Sequence, residues 1–169
     1  MGDGAPSITS ILVYVSSRVL RENEEFNAVI EGDEVRILDE VNIAVAIDTP
    51  RGLYAPVVRR ADILKLQEIE AELRRLSEKA MSGRITYSDL TGHTFTISNL
   101  GHEGVTYFTP VINPPAISIL GVGAVQKTSH GEVGHLSLVF DHRAVDGAPA
   151  ARFLAELRRE VEAFTPPAE

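Results

Sequence analysis

Between Phe140 and Phe153 the chain reads FDHRAVDGAPAARF, with His142 flanked by Asp141 and Arg143 and Asp146 four residues beyond the histidine. A neutral imidazole takes a proton from a thiol or hydroxyl near neutral pH, because its reference pKa is about 6.5. A carboxylate at the position of Asp146 can fix the loop or the tautomer of the ring. A second polar corner, Ser98-Asn99, closes the run HTFTI. A serine hydroxyl there can donate a hydrogen bond to an oxyanion that develops during a reaction. The functional reading is therefore a general base plus an oxyanion donor. The chain has no cysteine, so the attacking nucleophile has to come from a substrate. Each group also has a plainer reading. Ser-Asn after a strand makes a turn, Asp146 before Gly147 caps a helix, His142 is a structural histidine, and Asp141 and Arg143 pair with other charges.

Other chemistries fit less well. HRAVD is not a kinase catalytic loop, because no aspartate directly follows Arg143 and no Gly-rich phosphate loop precedes it. His93, His102, His130 and His135 show no ligand spacing of the zinc type, so no metal is expected. GVGAV has two glycines but opens no helix, which sets aside a dinucleotide fingerprint.

The elements that position these residues follow from periodicity. Ile8, Ile11, Leu12, Val15, Val19 and Leu20 recur with the period of a helix buried on one face. NAVIEG and DEVRILD flank Gly32-Asp33 and read as a hairpin. VNIAVAIDT reads as one central strand. Asp62 is placed to cap a second helix through about Ser82, with Leu66, Ile69, Leu73, Leu76 and Ala80 on one face and Gly83 as its stop. HTFTISNLG, NPPAISILGVGAV and GHLSLVFD read as strands, the last two separated by a polar turn. The final helix follows His142 and ends near Phe164. His142 thus stands where a strand hands over to a helix, where a rigid frame can aim a loop side chain. The pattern predicts an α/β or α+β chain with a sheet of roughly six strands.

Bulk properties narrow the function further. The 169 residues suit one domain with a real core, and the chain is 44% hydrophobic and 24% charged. No apolar run approaches the ~20 residues of a membrane span, and no signal-peptide pattern opens the chain. MGDGAP resembles a myristoylation site but has Pro6 where Ser or Thr is needed. The net charge of −8 argues against nucleic acid. It also means that a polyanionic ligand must be met by a local cluster of Arg and Lys.

FDHRAVDGAPAARFL strongly resembles the active-site segment of the dihydrolipoamide acyltransferases, core components of 2-oxo acid dehydrogenase complexes. DLTGHTFTISNLG resembles that family's second signature and TPVINPPAISILGVGAV its third. NIAVAIDTPRGLYAPVV and the helix before FNAVI match as well, so the resemblance runs from about Ile8 to Phe164. The implied fold is an α/β (α+β) sandwich like that of chloramphenicol acetyltransferase, working as a homotrimer. The implied reaction moves an acyl group between the thiols of dihydrolipoamide and coenzyme A, which explains why no protein cysteine is needed. The resemblance makes His142 the base that deprotonates the coenzyme A thiol, Ser98 the oxyanion donor and Asp146 an orienting residue. It places Asp48, Ser98, Asn99 and Gly123 along the coenzyme A channel, which in the family lies between subunits, with the histidine from one and the serine from the next. The implied partners are a lipoyl domain, which carries the lipoyl group separately, and the decarboxylase and dihydrolipoyl dehydrogenase components. The implied compartment is the cytoplasm, or the mitochondrial matrix in a eukaryote.

The chain also departs from the family pattern. Residues 1–7 read as a loose lead-in and 8–169 as a catalytic domain without the family's first helix and strand, and with no lipoyl or subunit-binding domain. The alternatives are a shortened, non-enzymatic assembly subunit and an acyltransferase acting on a free amine or alcohol. Joint presence of Ser98, His142 and Asp146 favours the enzyme over the scaffold, and the full set of signatures favours a thiol acceptor.

Overall fold

A computed structural model describes residues 6–129 and 131–165. His130, the first five residues and the tail 166–169 lie outside the described residues. Helix α1, Ile8–Glu22, is capped by Ser7, whose hydroxyl accepts from the Ser10 N–H at 3.1 Å. Its buried positions Leu12, Val15, Val19 and Leu20 are those the periodicity predicts. The hairpin at Gly32-Asp33 forms from β1, Ala28–Glu31, and β2, Glu34–Ile37.

VNIAVAIDT is not one strand. It splits into β3, Ile43–Val45, and β4, Ile47–Thr49. At the break the Ala46 N–H donates to the Ile97 carbonyl, and β4 turns away to pair with β5, Gly52–Tyr54. The short β6, Val57–Val58, returns beside β3. The second helix also starts later than expected: α2 spans Leu66–Met81 with Lys65 at its N-cap. Asp62 does not cap it. Residues 59–64 form turns in which Arg60 has a φ of +47°, and an Asp62 carboxylate oxygen lies 3.7 Å from Arg21. Gly83 does end the helix, in the left-handed region at φ +69°.

A short helix α3, Tyr87–Leu90, precedes β7, Phe95–Asn99. After a long strap that holds one turn of 3-10 helix, Gly101–Glu103, comes β8, Ser118–Val122. A ribbon missed in the sequence, β9 at Gln126–Thr128 with β10 at Gly131–Val133, leads into β11, Leu136–Phe140. Helix α4, Gly147–Ala163, closes the described chain.

The main sheet is mixed, with five strands in the order β11-β8-β7-β3-β6, close to the roughly six that the pattern predicts. The inner strands β8, β7 and β3 run parallel, and β11 and β6 run antiparallel to their neighbours. Val13, Leu20, Ile69, Leu76, Phe153 and Leu157 pack on Ile43, Phe95, Ile97 and Leu120, so α1, α2 and α4 share one sheet face. Phe153 anchors this core, with ring centroids 4.6 Å from Phe26 and 6.0 Å from Phe95. Strand β11 is an edge, and all five of its residues are half-exposed. Beside it, Ile11, Leu12, Val133, Leu136, Leu154 and Phe164 contribute to an open groove of about 950 Å³. No helix of the described residues is long and apolar enough to cross a membrane.

One polar cluster secures α2 to α3. The Asp89 carboxylate accepts from Lys79 Nζ, from Thr86 Oγ1 and, at 2.8 Å, from the Thr86 N–H. Only 11% of its side chain is exposed. The Lys79 ammonium, with help from Thr86, holds this carboxyl far below the usual carboxylate range. Because the folded-state value is depressed, the stabilisation is complete above the unfolded pKa of about 3.9 and fades as pH falls towards the folded value. Asp89→Asn should therefore destabilise the chain by about 1–3 kcal/mol at pH 7. Urea melts should show the gap between variant and parent narrowing below about pH 4; a gap independent of pH would refute the assignment.

Candidate active site

His142 follows the last residue of β11 in a tight turn. Asp141 builds that turn: its carbonyl accepts from Ala144 N at 3.0 Å and Val145 N at 3.2 Å. Its carboxylate grips Arg143 with two prongs, Nε at 3.0 Å and Nη2 at 2.7 Å, and also accepts the Arg143 N–H at 2.9 Å. Asp141 and Arg143 therefore pair with each other, and the Arg143 guanidinium holds the Asp141 carboxyl below its ordinary value. Val145 is buried and roots the turn in the core. The imidazole projects outward, 70% exposed, with its Nδ1 3.6 Å from an Asp146 carboxylate oxygen. That is ion-pair distance, beyond a hydrogen bond. Asp146 occupies the N-cap position of α4, but its side chain makes no capping bond. The carboxylate faces the imidazole instead, and Nε2 makes no hydrogen bond among the described residues.

Ser98 lies at the other end of the sheet. Phe95 and Ile97 point into the helix-side core, so strand alternation puts Thr94, Thr96 and Ser98 on the opposite face. Thr94 Oγ1 is committed to Asn27 and Asn42. Among the described residues, Ser98 Oγ makes no hydrogen bond. Its partner across β8 is Gly121, and a Cβ there would come within 3.0 Å of Pro110 and 3.2 Å of Phe108. The strap after Ser98 thus crosses the sheet through space that Gly121 leaves open.

Asn99 points to the helix side. Its amide donates to Thr9 Oγ1 at 3.1 Å, and its carbonyl accepts the Gly101 N–H at 2.9 Å. Gly123 is buried, its N–H donating to the His135 carbonyl at 2.8 Å, and a Cβ on it would overlap the Thr106 carbonyl. The strap is further tied down by Tyr107, whose hydroxyl sits 2.7 Å from His135 Nε2. Asp48 is exposed on β4, in the hairpin that leaves the sheet at the Ser98 end. Ser98, Asn99, Gly123 and Asp48 are therefore brought to one end.

His142 is not brought to them. Phe140 pairs with Ser118 at the start of β8, whereas Ser98 pairs with Gly121 near its finish. Three residues along β8 separate these levels by about 10 Å, and two strand spacings add about 10 Å sideways. His142 stands two residues further out still. Within one chain the imidazole and the serine hydroxyl lie roughly 15 Å or more apart, too far to act on one carbonyl group. The sequence motifs carry the residue types but not this separation. The antiparallel direction of β11 produces it.

The sequence pattern of the family "2-oxoacid dehydrogenases acyltransferase (catalytic domain)" matches residues 2–167. The chain belongs to this family. It is 43% identical over 144 residues to the mitochondrial dihydrolipoyllysine-residue succinyltransferase component of the 2-oxoglutarate dehydrogenase complex of Saccharomyces cerevisiae, covering 80% of this chain and 31% of the yeast protein. Among solved structures it resembles the dihydrolipoamide acetyltransferase of Azotobacter vinelandii, with a TM-score of 0.86 and 34% identity over 93% of this chain and 69% of that one. In that enzyme a serine, a histidine and an asparagine four residues after the histidine were studied for their role in the catalytic mechanism. The cubic core of a pyruvate dehydrogenase multienzyme complex aligns with a TM-score of 0.87 and 34% identity, over 95% of this chain and 70% of that one. Chloramphenicol acetyltransferase, at 16% identity and a TM-score of 0.64, shares the fold. The chain spans about a third of the length of the curated relatives it matches.

Proposed function

We propose that this chain is an acyltransferase that exchanges an acyl group between the thiols of dihydrolipoamide and coenzyme A, at a site built from two copies. The observation that carries the reading is the separation of His142 from Ser98. Each copy offers an exposed imidazole at one end of its sheet and an uncommitted hydroxyl at the other. A ring of copies that sets the first end against the second completes a site at every junction, which is the homotrimer the family resemblance implies.

His142 Nε2 takes the proton from the coenzyme A thiol, and the thiolate attacks the thioester carbon of acyl-dihydrolipoamide. As the new C–S bond forms, the carbonyl electrons move onto oxygen, where Ser98 Oγ–H of the neighbouring copy donates a hydrogen bond. Collapse of the tetrahedral intermediate breaks the bond to the dihydrolipoamide sulfur, which takes the proton back from the imidazolium. Asp146 steadies the ring through Nδ1; its place four residues after His142 parallels the asparagine of the Azotobacter enzyme. Asp48, Asn99 and Gly123 shape the coenzyme A path at the Ser98 end. A lipoyl domain delivers the acyl group, and decarboxylase and dihydrolipoyl dehydrogenase components load and reoxidise it. The setting is the cytoplasm, or the mitochondrial matrix in a eukaryote.

Mixing two inactive variants tests the arrangement. His142→Ala and Ser98→Ala chains, dissociated and reassociated at equal amounts, should recover about a quarter of parental turnover. A junction works only when its histidine comes from the serine variant and its serine from the histidine variant, each with even odds. No recovery would place the whole site within one chain. A parent without turnover would leave the assembly-subunit reading.

A further inference from the structure

Coenzyme A carries a diphosphate and a 3′-phosphate, and a chain with a net charge of −8 repels such a ligand unless cations gather locally. We propose that Arg51 and Arg84 form the seat for these phosphates, which rests on the reading of coenzyme A as the thiol substrate. Arg51 occupies the turn between β4 and β5, in the hairpin that bears Asp48 and leaves the sheet at the Ser98 end. The turn is pinned by Thr49 Oγ1, which accepts the Arg51 N–H at 3.1 Å and donates to the Gly52 carbonyl at 2.8 Å. From there the Arg51 guanidinium lies directly over Gly83, filling the space that any side chain at position 83 would need. Arg84 is the next residue, with Nε donating to Ser82 Oγ at 3.0 Å. Two exposed arginines from distant parts of the chain thus reach the same end of α2, one over Gly83 and the other on Ser82.

The cations around them are already engaged. Nearby, Lys79 is engaged by Asp89, and Arg75 by Glu72 and Asp89. Arg59 is spent on the Ser88 and Thr91 carbonyls at 2.8 and 2.9 Å. Among the described residues, neither Arg51 nor Arg84 has a carboxylate within 4.0 Å. The C-terminus of α2 beneath them favours positive charge, which offsets part of the repulsion between two adjacent cations. Forked N–H donors of this kind suit phosphate oxygens.

Calorimetric titration of the assembled protein with coenzyme A and with pantetheine, which keeps the thiol but lacks the phosphates, decides the matter. Arg51→Gln and Arg84→Gln should each weaken coenzyme A binding about tenfold, while pantetheine binds all proteins alike. Added salt should weaken coenzyme A binding to the parent more than to the double variant. Coenzyme A binding that ignores both substitutions, or a loss shared equally by pantetheine, would overturn the seat and leave the arginines as counter-charges for α2. A parent that binds coenzyme A through these arginines yet shows no turnover with acyl-dihydrolipoamide would count against acyl transfer and leave the seat standing.

Discussion

Replacing His142 with alanine yields a folded chain whose acyl transfer is slower by about 10²–10⁴, the usual contribution of a positioned general base. The fold should survive because the imidazole contributes little to it. The ring is 70% exposed, and the turn that carries it is held by Asp141, Arg143 and buried Val145. The aromatic contact it loses, with the Phe140 ring at 5.4 Å, lies at the sheet edge. Circular dichroism and turnover, measured on the same preparation, separate a chemical defect from an unfolded one. Near-parental turnover would remove His142 from the mechanism.

Ser98→Ala should lower kcat by roughly 10²–10³ while KM for coenzyme A changes little. An oxyanion donor strengthens its hydrogen bond as charge develops, so its loss is felt mainly in the transition state. Folding has little to lose, because Ser98 Oγ has no hydrogen bond among the described residues. Thr94 on the same face makes the contrast, since its hydroxyl ties together Asn27 and Asn42. A variant whose KM rises while kcat holds would recast Ser98 as a binding residue.

Where a sequence signal is local, the structure follows it. The apolar spacing of α1, the Gly32-Asp33 turn and the stop at Gly83 are decided by neighbours a few residues away. Where the deciding partner is distant, the signal is silent. Nothing in VNIAVAIDT reports that the Ile97 carbonyl will hold Ala46 and release β4. Asp62 looks like a cap until Asn42 Oδ1 accepts the Arg60 N–H at 2.8 Å and the segment turns. The candidate site repeats the pattern. Ser98, His142 and Asp146 are legible as types, and the His142–Asp146 pairing is legible from its spacing. The distance from Ser98 to His142 is not, because it depends on which way β11 runs beside β8. Gly83 was readable as a helix stop, but its second use, admitting the Arg51 side chain, needed the fold.

The outer side of β11 has a consequence for how the protein behaves during synthesis. Natural sheet borders are guarded by lysine, proline or a bulge that discourages foreign strands. Leu136-Ser137-Leu138-Val139-Phe140 has no charge and no proline, and among the described residues it pairs with β8 alone. Such a segment combines high β-propensity with zero charge, the composition that seeds intermolecular stacking. A newly made copy therefore exposes a template until something covers it. Dilute, cool expression and prompt access to whatever seals this border favour native chains over inclusion bodies.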